Sequence, residues 1–124
     1  MDVRPGRESD VVPTLLILFL LVAAGGAGLA LLEHRGRTLP LPVSSLHGGI
    51  AAVLIGALVW HDLQAPGNRL VNAATVVFVL AATGGLLLFA FRASRQRLPL
   101  PVVLLHGAFA LAAWGLLLAG VVRG

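Results

Sequence analysis

The 124-residue sequence contains no cysteine and no lysine, and only 11% of its residues are charged. Without cysteine the chain can form no disulfide, no thiolate metal site and no covalent haem link of the CxxCH type. Without lysine, all nine basic residues are arginine and the net charge is +4. In so apolar a chain such residues read as topology and lipid signals. Aromatic residues make up 6% and are not interleaved with a basic patch, so no nucleic-acid partner is expected. HExxH, paired interior carboxylates and a nucleophile beside a base are also missing, which leaves a hydrolase without machinery.

What the chain has is apolar surface: 58% hydrophobic residues and a mean hydropathy of +0.96. That is too little polar surface to coat a soluble core, so the expected setting is a lipid bilayer. At roughly 20 residues per span the chain holds four spans with short loops, as one domain over residues 1–124. Spans are expected over about 12–32, 43–60, 70–91 and 102–122, making an all-α membrane four-helix bundle. The first run is longer than the roughly 7–15 apolar residues of a signal peptide, so it is read as structure. Residues 1–10 carry both signs of charge and read as a frayed tail.

An internal repeat organises these spans. LPLPVSSLHGG at residues 39–49 returns as LPLPVVLLHGA at 98–108, an offset of 59 with eight of eleven positions identical. The offset continues upstream, placing Phe19 on Phe78, Gly25 and Gly26 on Gly84 and Gly85, and Leu29 on Leu88. The expected repeat unit is a helical hairpin used twice in the same sense, over about 12–61 and 70–122. His47 and His106 then lie at one depth, roughly 7 Å inside the basic side by helix rise.

Orientation follows the arginines. Loops one-two and three-four carry Arg35, Arg37, Arg92, Arg95 and Arg97, against Arg4, Arg7, Arg69 and Arg123 on the other side. With acidic residues included the balance is +4 against zero. Both termini are therefore expected outside and the basic loops in the cytoplasm, in a bacterial-type inner membrane.

An unpaired polar ring in hydrocarbon costs roughly 2–7 kcal/mol, so two imidazoles at one depth need a partner. One candidate is a haem iron bound axially by His47 and His106. Gly25, Gly26, Gly84 and Gly85, with Ala51 and Ala110 one turn deeper, strip side chains from that half of the membrane and make room for a flat macrocycle. Arg35, Arg37, Arg95 and Arg97 would neutralise its propionates. The other candidates are helix-to-helix hydrogen bonding, and a proton, ion or quinone site.

Glycines on helices one and three with histidines on helices two and four resemble the membrane-embedded b-type cytochromes, in particular the haem-binding core of respiratory cytochrome b. The resemblance implies glycines that admit haem b, histidines that ligate its iron, and electron transport. That family holds two haems with two histidines on each ligating helix. Here His61 lies 14 residues after His47, but its repeat equivalent is Gly120. The resemblance therefore implies one haem, with His61 left as an interface residue and His34 in a charged loop. With both axial positions filled, the protein would carry electrons and perform no oxygen chemistry.

Two further readings stay open. One is a non-catalytic accessory or assembly subunit of a larger membrane complex, its histidines structural; the other is a small transporter or quinone-binding protein. A multidrug transporter is disfavoured because Glu33 and Asp62 fall at span ends and no acid lies within one. Redox partners, complex subunits and a homodimer are the protein partners these readings entail.

Overall fold

The computed structural model describes residues 10–124, and these form four α-helices: α1 (Val11–His34), α2 (Leu41–Gln64), α3 (Arg69–Ala93) and α4 (Leu100–Arg123). All four are long and apolar enough to cross a membrane. At 1.5 Å per residue, 24 residues reach about 36 Å, enough for the ~30 Å hydrocarbon layer with a margin for the interface or tilt. Residues 1–9, with Asp2, Arg4, Arg7 and Glu8 of the charge balance, lie outside the described residues.

Each helix runs beyond the stretch expected from charge and proline. α2 starts at Leu41, with Pro42 inside its first turn and Pro40 as an extended N-cap. A proline there costs no hydrogen bond, because first-turn N–H groups have no intrahelical acceptor. α4 repeats this with Pro99 and Pro101. α2 also continues past Trp60 to Gln64, so His61 and Asp62 are helical. His34 is the last residue of α1, not a loop residue. Polar residues end the apolar run but do not end a helix, whose backbone stays paired beyond the hydrocarbon boundary.

α1 and α3 stop in the same way. Gly36 takes φ +78°, its N–H bonds Glu33 O, and the Arg37 N–H reaches back to Leu32 O. This is the Schellman arrangement, which favours glycine at the left-handed position. At the end of α3, Arg95 occupies that position with φ 55°, and Arg95 and Gln96 bond Arg92 O and Phe91 O. A Cβ in the left-handed region is strained, so Arg95→Gly is expected to raise the thermal unfolding midpoint in detergent, a gain of about 1 kcal/mol. An unchanged or lower midpoint would count against a strained stop. α3 begins on Asn68, whose side chain accepts from the N–H groups of Leu70 and Val71 and donates to Gly120 O on α4 at 2.9 Å.

Each helix packs against its neighbours in the chain and α4 closes against α1, with α3–α4 the most extensive interface. α1 and α3 thus face each other across one diagonal of the bundle, α2 and α4 across the other. The apolar core lies in the half nearer the α2–α3 turn: Leu15, Phe19, Leu54, Leu58, Val71, Ala74, Phe78, Ala113 and Leu117. Phe19 and Phe78 stack across the diagonal with centroids 4.0 Å apart. Trp114 Nε1 donates to Leu16 O at 2.9 Å, tying α4 to α1. Elsewhere large apolar side chains point outward, Leu21, Val53, Leu86 and Leu111 among them. Helices apolar on nearly every side need lipid around them.

Candidate functional site

Residues seven apart lie on one face of a helix, two turns or about 10.5 Å from each other. On α1 that face carries Phe19, Gly26 and Glu33; on α3 it carries Phe78, Gly85 and Arg92. Phe19 meets Phe78 in the aromatic stack, and Glu33 meets Arg92 in an ion pair. Midway between these contacts the two helices present glycine, and there the imidazoles enter from α2 and α4.

The fit between ring and glycine is close. A Cβ on Gly26 would come within 2.8 Å of His47 Cε1, and one on Gly85 within 2.9 Å of His106 Cε1. Each histidine therefore rests on the glycine of its own hairpin partner. A Cβ on Gly84 would stand at ordinary contact distance from the His106 Cβ, 3.5 Å, whereas Gly25 is exposed with open space beside it. Ala51 and Ala110 are half-buried one turn further along α2 and α4.

His106 Nδ1 lies 2.7 Å from the carbonyl oxygen of Ala81 on α3. A carbonyl only accepts, so this nitrogen carries the proton and donates. In the neutral ring Nε2 is then a bare lone pair, the state a metal-ligating histidine takes when its other nitrogen is held by a backbone carbonyl. Among the described residues no three His, Cys, Asp or Glu side chains cluster as a metal site. His47 and His106, each against the glycine of its own hairpin partner, are the candidate nitrogen donors at this level.

Of the arginines singled out in the sequence, Arg35, Arg37, Arg95 and Arg97 are exposed in the two loops at this end. The arginine drawn inward is Arg92, its side chain only 15% exposed; it pairs with Glu33 and donates to Leu39 O. Sequence reasoning passed over this pair, although Glu33 and Arg92 stand 59 apart and so at equivalent positions of the repeat. Glu33→Arg would set two arginines face to face and is expected to lower the unfolding midpoint. Adding Arg92→Glu should restore it, with a coupling of roughly 1 kcal/mol or more in the double-mutant cycle. Additive effects would show that the pair contributes nothing.

At the opposite end, the Thr75 hydroxyl donates to Asp62 Oδ2, and His61 Nδ1 lies 3.5 Å from Asp62 Oδ1. Asp62 thus lies in the last turn of α2, at the span end as expected, with its side chain only 15% exposed. His47, Leu54 and His61 follow one another at intervals of seven, so the spacing held the signal that His61 shares the inward face of α2. The repeat held no signal for Thr75, whose equivalent is Leu16.

Comparison with protein-family models, with curated proteins and with solved structures finds no match. The site is therefore read from its own geometry.

Proposed function

We propose that this chain is a small membrane b-type cytochrome that holds one haem b between His47 and His106 and passes electrons. The observation that carries the reading is His106, on a helix long and apolar enough to cross a membrane: its Nδ1 donates to Ala81 O, which leaves Nε2 of a neutral ring as the nitrogen that could ligate. Its repeat equivalent His47 comes from the diagonally opposite helix, and the helices between them present Gly26, Gly84 and Gly85. Haem b, when bound, supplies a one-electron couple. The chain's part is to offer two nitrogen donors, to exclude water below by the Phe19–Phe78 stack, and to bring arginine charge to carboxylate substituents above. Arg92 would serve there from inside and Arg35, Arg37, Arg95 and Arg97 from the loops. In this reading the termini are outside and the basic loops face the cytoplasm of a bacterial-type cell, with redox-partner subunits in the membrane.

A second reading is favoured by the closeness of each imidazole to its glycine. Rings that fill glycine cradles also lock helices together, as a non-catalytic accessory subunit of a larger complex would require. Oxidised and reduced absorption spectra of protein expressed with haem supplementation separate the two. Low-spin haem bands support the cytochrome; a colourless, folded protein supports the accessory subunit.

A further inference from the structure

We propose that the two imidazoles have different tasks: His106 is the fixed donor, and His47 is an exchangeable partner whose place a small neutral ligand such as imidazole can take. The exchange half rests on the haem reading; the difference between the rings does not. His106 is held on three sides. Its Nδ1–H bonds Ala81 O at 2.7 Å, Gly85 lies against the Cε1 edge, and Gly84 lies beside its Cβ. Ala81 is buried, so water does not compete for that carbonyl.

Of these contacts His47 shares only one, Gly26 against its Cε1 edge. The carbonyl equivalent to that of Ala81 belongs to Val22, and among the described residues neither nitrogen of His47 has a hydrogen-bond partner. The rings also lie differently on their neighbours. Measured from the Cβ each glycine would carry, His106 approaches α3 by Nδ1, at 3.4 Å against 3.7 Å for Nε2, whereas His47 approaches α1 by Nε2, at 3.2 Å against 3.7 Å for Nδ1. In both rings Cε1 is nearest to the glycine and both nitrogens lie within 4 Å of that position, so the rings differ in which nitrogen is turned toward the glycine. The cause is the packing of the bundle: α3 and α4 share the most extensive interface, which brings a carbonyl of α3 within reach of the ring, while α1 meets α2 over a smaller one.

The first test needs no haem. In the full-length protein in detergent, nitrogen-15 correlation spectra of the ring nitrogens should show His106 in the single Nδ1–H tautomer and His47 as an exchanging mixture. His106 as the Nε2–H form, or the same pattern for both rings, overturns the proposal. The second test uses haem. His47→Ala should retain it and return to a six-coordinate spectrum on addition of imidazole, while His106→Ala in the same imidazole should bind it at least about tenfold more weakly. Equal retention by the two variants overturns the division of tasks. If the wild type takes up no haem, the cytochrome reading fails and the tautomers alone decide whether the rings differ.

Discussion

His47→Ala and His106→Ala are each expected to abolish the low-spin six-coordinate spectrum of the haem-supplemented protein, while His61→Ala leaves it unchanged. Low-spin character requires a strong-field donor on both faces of the iron, and one missing imidazole leaves it five-coordinate or unbound. His61 is on the same inward face of α2, but it lies 14 residues, about 21 Å, from His47 and contacts Asp62 instead. The core around Phe19, Phe78, Leu54 and Leu58 separates the two levels. His61 cannot substitute without dismantling that core. The measurement is the absorption spectrum of each purified variant beside the wild type. Unchanged spectra in both His47→Ala and His106→Ala would end the electron-transfer reading.

The second large effect belongs to neighbouring glycines. Gly26→Ala and Gly85→Ala are expected to cost about 1–3 kcal/mol each and to disturb the histidine site, because their new methyl groups would stand 2.8 and 2.9 Å from imidazole carbons. The ring must move to make room. For His106 that movement breaks the bond to Ala81 O and releases its tautomer. Gly25→Ala is the control. Its methyl meets nothing within 4 Å, so stability should stay level or rise by the helix preference of alanine over glycine, up to about 1 kcal/mol. Detergent unfolding midpoints of the three variants provide the comparison; a Gly25→Ala protein as damaged as Gly26→Ala would show that the cradle is not what these glycines provide.

Adjacent glycines that look alike in the sequence thus have different surroundings, and the reason is rotational. Successive residues on a helix point about 100° apart, so of Gly25 and Gly26 one faces His47 and its neighbour faces outward. A GG pair in a sequence announces that bulk is absent and leaves open which side needs it absent. Sequence reasoning assigned both pairs to the histidine half, and the structure separates Gly26, Gly84 and Gly85 from Gly25 by contact. The same limit explains Arg92. Counting arginines by loop ranks it with Arg95 and Arg97, yet of the three only its side chain turns inward, to an acid across the α1–α3 diagonal.

Composition and repeat by themselves determined the helical class, the four spans and the equivalence of His47 with His106. These depend on quantities additive along the chain: hydrocarbon thickness divided by helix rise, and identity at a constant offset. Tertiary structure alone decided which face of each helix turns inward, that Glu33 meets Arg92 across a diagonal, that Asp62 takes a hydroxyl from Thr75, and that Ala81 O orders the tautomer of His106. Those contacts depend on helix rotation and on separations of a few ångströms between distant segments. A backbone carbonyl in particular is the same in every residue, so no letter in the sequence could mark the one that holds His106.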